Sequence, residues 1–230
     1  MTHTPSILVF DVNETLLDLT TLEPVFEEVF GDPAVMRDWF AQLILYSEAL
    51  TLSGIYTPFG NLAGGVLRMV GEIRGIAITE TDVDALKQHV ASMPALPDAR
   101  PALERLRDAG FRLITLTNSA PGPSPSPLER AGLADIFERA FSVDSVGRYK
   151  PAPETYRYVA SELGVEMRDM CLIACHVWDT TGAQAAGCAG ALVTHSGNAI
   201  LPVPGVPQPD LVAPDLMTLA RMMDDAWARG

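Results

Sequence analysis

Apolar residues fall along this chain in two rhythms, and their alternation predicts the architecture. Short continuous apolar runs, the mark of strands buried on both faces of a parallel sheet, stand at residues 6–10 (Ser-Ile-Leu-Val-Phe), 112–117, 170–174 and 190–194. A polar cluster follows each run. Between them lie stretches with helical spacing, such as 101–110, where Leu103 and Leu106 share a face and Gly110 supplies a stop. Strands alternating with helices predict an α/β fold built on a doubly wound parallel sheet. Ligands bind such sheets beyond the carboxyl ends of the strands, where the polar clusters lie. Asp11 is then expected at the end of the first strand.

Residues 19–93 break the alternation, with helical patterns at 22–30, 36–52, 59–74 and 81–93. Gly31-Asp32-Pro33 and Ser53-Gly54 punctuate them, and Thr79 with Asp82 has capping-box spacing. The expected organisation is a core domain of residues 1–18 and 94–230, with a helical cap subdomain of residues 19–93 inserted as a lid over the strand ends. The Pro-rich stretch 121–127 reads as a surface loop. A second Pro-rich stretch, 201–214, is expected to wrap the core before a last helix ending near Trp227.

Composition narrows the partners. With 230 residues, 48% of them hydrophobic, the chain can bury one large core plus a smaller domain. Its formal charge of -13 argues against nucleic acid or an anionic membrane surface, both of which demand clustered Lys and Arg. A small anionic substrate then needs a locally positive site, and the only lysines are Lys87 and Lys150. No basic, apolar leader starts the chain and no run approaches the ~18 apolar residues of a membrane span, so a cytoplasmic enzyme is expected. Cys171, Cys175 and Cys188 form no CxxC pair and read as small buried thiols.

Four stretches carry chemistry: "FDVNETLLD" from Phe10, "LTNSA" from Leu116, "RYKPAPETY" from Arg148 and "WDTTGAQAAG" from Trp178. In this order they resemble the haloacid dehalogenase superfamily, and in detail its type II 2-haloacid dehalogenase branch, over nearly the whole chain. The resemblance implies that Asp11 is a nucleophile forming a covalent ester that water cleaves; its plain alternative is a turn or helix-capping aspartate. It further implies that Thr15 orients Asp11, that Lys150 contacts the nucleophile, and that Asp179 helps activate the water. Thr117 and Asn118 would bind the substrate carboxylate, or else cap a helix, and Tyr156 and Trp178 would shape an apolar pocket. A homodimer is also suggested by the resemblance.

Asn13 and Cys175 decide between branches. Superfamily phosphatases carry a second acid at the position of Asn13, which protonates a departing alkoxide. An amide cannot do this, and a halide leaves without a proton. Phosphatases also place two acids four residues apart to help hold magnesium; here Cys175 takes the first place and Asp179 the second, and a thiol is a poor ligand for a hard cation. The expected reaction is therefore hydrolytic dehalogenation of a short 2-haloalkanoic acid without metal or other cofactor, giving the 2-hydroxy acid with inversion. A small-molecule phosphatase and a non-catalytic binding protein on the same fold are the alternatives. Two departures from the branch bear on substrate. Phe40 stands where an arginine faces the leaving halide, with Arg37 the nearest basic residue on that helix, and His176 stands where asparagine is usual. His176 reads as a donor to halide or carboxylate, as a base, or as a structural histidine.

Overall fold

The protein's structure, a computed structural model, describes residues 4–122 and 124–227. The start of the chain through residue 3 and Pro123 of the Pro-rich loop lie outside the described residues.

The first strand, β1 (Ile7–Phe10), is buried at every position. It is flanked in parallel by β2 (Arg112–Thr117) on one side and β4 (Met170–Ala174) on the other, with Phe10 in register with both Thr115 and Ile173. The sheet extends outward through β3 (Arg139–Ser142), β5 (Ala189–Val193) and β6 (Leu211–Ala213) to the order β3-β2-β1-β4-β5-β6. Strand order reverses at β1 and β4, so the crevice of this doubly wound sheet opens directly above Phe10 and Ala174.

Two strands were not legible as apolar runs. β3 is half exposed, and β6 is a three-residue edge strand inside the Pro-rich 201–214 stretch, which therefore joins the sheet instead of only wrapping it. The other Pro-rich stretch also ends in structure: Ser126 and Glu129 form a capping box that starts α6 (Pro127–Arg130).

Four helices separate β1 from the rest of the core: α1 (Glu23–Phe30), α2 (Val35–Leu52), α3 (Phe59–Arg74) and α4 (Glu80–Ala91). α4 begins with the Thr79–Asp82 capping box. They pack on one another through Phe26 and Trp39, whose rings lie 5.3 Å apart, and the Trp39 indole donates to the Ala63 carbonyl at 3.1 Å. The chain leaves and re-enters the core side by side, where Leu17 bridges Ala95 and the Asp18 amide donates to the Pro94 carbonyl at 2.9 Å. The remaining helices, α5 (Ala99–Asp108), α7 (Pro153–Leu163), α8 (Val177–Ala185) and α9 (Leu216–Trp227), cover the sheet. No described helix is long and apolar enough to cross a membrane.

Candidate active site

Asp11 is the first residue past β1, and its amide donates to the Ile173 carbonyl at 2.9 Å, which pins it to the neighbouring strand. The residue is 6% exposed. One oxygen, Oδ1, accepts from Lys150 Nζ at 2.8 Å, and the other, Oδ2, accepts from the Thr15 hydroxyl at 2.9 Å. Thr15 Oγ1 in turn accepts the Cys175 amide at 3.0 Å, so one threonine ties the loop after β1 to the end of β4.

Lys150 is fully buried, and its ammonium has three acceptors: Asp11, Asp179 Oδ2 at 2.6 Å and the Leu116 carbonyl at 3.0 Å. That is its full donor capacity. The Lys150 amide donates to Asn118 Oδ1 at 3.0 Å, so the residue after β2 anchors the loop that carries the lysine. Gly182 of α8 permits that loop to approach, because a Cβ there would lie 2.8 Å from the Pro151 carbonyl oxygen and closer still to its Cβ.

Asp179 lies in the first turn of α8 and is wholly buried. Besides Lys150 it accepts from the Tyr156 hydroxyl at 2.6 Å. Tyr156 is thus buried against the acid and positions it. The two acids differ electrostatically. Burial alone would raise Asp11, but the Lys150 ammonium and His176 outweigh it and hold the carboxyl well below its usual range. Burial raises Asp179 and the charge of Asp11 raises it further, with Lys150 opposing, and the net direction is upward. One carboxylate is thus kept as an anion and the other is made a better proton acceptor.

The remaining residues surround this pair. Asn13 Nδ2 approaches Ser119 Oγ at 3.4 Å, joining the loops after β1 and β2. The Thr117 hydroxyl accepts the Ser119 amide at 3.1 Å and so shapes that turn. Phe40 of α2 has its ring 5.4 Å from that of His176, and His176 stacks on Trp178 at 5.4 Å. The aromatic rings and the histidine form a continuous wall beside Asp11.

Glu14 belongs to this site and was missed in the sequence. It is 2% exposed and has φ 64°, the left-handed region that non-glycine residues seldom occupy. Holding a side chain there costs on the order of 1–3 kcal/mol. Its contacts explain how it is held: Arg37 forms an ion pair with Oε1, His176 Nε2 meets Oε2 at 2.8 Å, and His195 Nε2 meets the backbone carbonyl at 2.6 Å. Arg37 thereby ties α2 to the loop after β1. For His176, burial alone would lower the pKa, but the Cys175 sulfur and the carboxylates of Asp11 and Glu14 outweigh it and raise it well above 6.5.

The donor set does not suit a magnesium ion. Both Asp179 oxygens and both Asp11 oxygens already accept from Lys150, Tyr156 or Thr15, and Cys175 replaces the further carboxylate a hard cation would use. The ammonium of Lys150, between the two acids, occupies the electrostatic role.

A family model described as a haloacid dehalogenase-like hydrolase matches residues 5–187. Over 182 residues the chain is 30% identical to (S)-2-haloacid dehalogenase 1 of Pseudomonas sp. (strain CBS-3), covering 78% of this chain and 80% of that one. The solved L-2-haloacid dehalogenase of Xanthobacter autotrophicus with chloropropionic acid covalently bound superposes with a TM-score of 0.85 at 24% identity, covering 95% of this chain and 98% of that one. Another solved L-2-haloacid dehalogenase gives 0.89 at 25% identity, covering 96% and 99%. The sequence match across most of the length, with the sheet order and the motif residues gathered at one crevice, shows that the chain belongs to the haloacid dehalogenase-like hydrolases, in their 2-haloacid dehalogenase branch.

Proposed function

We propose that this protein hydrolyses short 2-haloalkanoic acids, with Asp11 as the nucleophile. The observation that carries the reading is the division of labour around Lys150: one ammonium touches both Asp11 and Asp179, at 2.8 and 2.6 Å. Asp11 is thereby an oriented anion at a strand end, suited to attack the halogen-bearing carbon from the side opposite the halogen. Halide leaves, the carbon inverts, and an ester links Asp11 to the acid. Asp179 then takes a proton from water, which adds to the Asp11 carboxyl carbon. If Oδ2 is the attacking oxygen, Oδ1 becomes the ester carbonyl, and Lys150 already donates to the place where negative charge develops in the addition. The covalent substrate in the Xanthobacter autotrophicus relative supports such an intermediate.

The substrate carboxylate is assigned to the loops after β1 and β2, near Asn13, Thr117 and Asn118, and its alkyl part to the wall of Phe40 and Trp178. The reaction needs no metal, since Lys150 supplies the cation. The acidic surface supports a small-molecule substrate over nucleic acid, and a cytoplasmic location is part of the same reading. Exposed Leu45, Leu52, Ile55 and Ile73 on and beside α2 and α3 support a homodimer.

The test is halide release from chloroacetate and both enantiomers of 2-chloropropionate with EDTA present. Release that survives the chelator and disappears in Asp11→Asn supports the reading. Release only of phosphate from phosphate esters, dependent on magnesium, overturns it.

A further inference from the structure

Ester cleavage leaves one proton unassigned. When the tetrahedral adduct on Asp11 collapses, the bond to Oδ2 breaks and the 2-hydroxy acid departs as an alkoxide, a strongly basic leaving group that needs an acid beside it. Asn13 has no proton to give. Asp179 has just gained one, but its oxygens face Lys150 and Tyr156. Lys150 donates to the other oxygen, Oδ1, and the Thr15 hydroxyl on Oδ2 is too weak an acid; the imidazole beside Oδ2 is that of His176, whose Nδ1 lies 3.9 Å away.

Both nitrogens of this ring lie beside carboxylates: Nε2 meets Glu14 at 2.8 Å, and Nδ1 lies 3.9 Å from Asp11 Oδ2, with the Cys175 sulfur 3.4 Å from Nδ1 as well. A neutral imidazole satisfies only one acceptor as a donor, while an imidazolium satisfies both. Glu14 is kept in its strained conformation by Arg37 and His195, so its carboxylate has a fixed place against the ring. Phe40 and Trp178 both pack against the ring, each with its centroid 5.4 Å away.

Resting on the dehalogenase reading, we propose that His176 is the acid that protonates the departing alkoxide, and that Glu14 is its positioning residue. The protons balance. Water gives one to Asp179 and its hydroxyl to Asp11; His176 gives its Nδ1 proton to the alkoxide as the carbon–oxygen bond breaks. Asp11 is left as a carboxylic acid and returns its proton to His176, and Asp179 releases the other to solvent. Net, one water is consumed and one proton and one halide are released. The acid that phosphatases place two residues after the nucleophile is here supplied from the end of β4.

The charged and titratable groups around the ring are Asp11, Glu14 and Cys175 in contact, with Arg37, His195 and Lys150 acting through them. Removing the Glu14 charge therefore weakens the hold on the proton without removing the ring.

The experiment is a pre-steady-state reaction with (S)-2-chloropropionate, following halide by electrode and the Asp11 ester by intact-protein mass spectrometry after acid quench. For His176→Asn we expect a stoichiometric halide burst, accumulation of ester and ester hydrolysis slowed on the order of 100-fold. For Glu14→Gln we expect the alkaline fall of the ester-hydrolysis rate to move to lower pH. His176→Asn with wild-type turnover overturns the proposal, as does a folded His176→Asn that loses the burst, since the ring would then serve the first displacement. If His176→Asn does not fold, Glu14→Gln with an unmoved pH profile overturns it. Wild-type protein that releases no halide overturns the dehalogenase reading itself.

Discussion

Replacing Lys150 with methionine keeps the bulk of the side chain and deletes one charge that serves two buried acids. The wild-type ammonium is 0% exposed and lies 2.8 Å from Asp11 and 2.6 Å from Asp179. Removing one partner of a buried ion pair costs about 3–5 kcal/mol, because the other charge stays buried and uncompensated. Here two carboxylates lose their partner together, so the upper part of that range is expected, against a total stability of about 5–15 kcal/mol for a typical domain. The penalty must depend on pH. In the wild type the lowered pKa of Asp11 contributes stability that is present above its ordinary value of 3.8 and lost as pH falls through the folded value. Without Lys150, His176 alone of the two cations opposes burial at Asp11, and Asp179, already raised, loses the charge that chiefly opposes its burial, so the variant is relieved as pH falls. The gap between the two proteins should therefore narrow toward acid. Urea unfolding of both at pH about 7.5 and about 5 measures this. An equal gap at both pH values would refute the claim that Lys150 stabilises ionised carboxylates. Loss of the halide burst in the same variant is expected, since Asp11 loses the ammonium that orients it at 2.8 Å and favours its ionised form.

Tyr156→Phe removes the 2.6 Å donor to Asp179. A hydrogen bond to a charged group contributes about 1.5–3 kcal/mol, so ester hydrolysis should slow by about 10-fold or more, with little change in the halide burst. The hydroxyl favours the ionised acid, so the acid limb of the ester-hydrolysis profile should move to higher pH; stopped-flow rates against pH would show an unmoved limb if Asp179 is not the base. Gly182→Ala forces α8 away from Pro151. Overpacking of this kind costs about 1–3 kcal/mol, and the displaced Lys150 should cost activity beyond the fall in Tm; thermal melts and halide assays that both match wild type would contradict the close-approach argument.

How much of this was legible in the sequence follows from where the information lies. β1, β2, β4 and β5 are buried centrally and read as apolar runs, whereas β3 and β6 are short and partly exposed and show no such run. Asp11, Lys150 and Asp179 sit in motifs, so their resemblance could be seen before their contacts. Glu14 looked like an ordinary polar loop residue, because its burial depends on His176, 162 residues away. The available signal was a second acid three residues past Asp11 in the polar cluster after β1, together with an unmatched His176 and Phe40. The bond from Tyr156 to Asp179 was not legible, because helix α7 turns that side chain toward α8, a direction that motif position alone does not state.

The central claim is that Asp11, and not water, makes the first bond to the substrate. A single turnover in heavy-oxygen water, with enzyme in excess over (S)-2-chloropropionate, tests it most directly. The expected result is product hydroxyl of ordinary oxygen and heavy oxygen in the Asp11 peptide. Heavy oxygen in the product of that first turnover, with Asp11 unlabelled, would contradict the account.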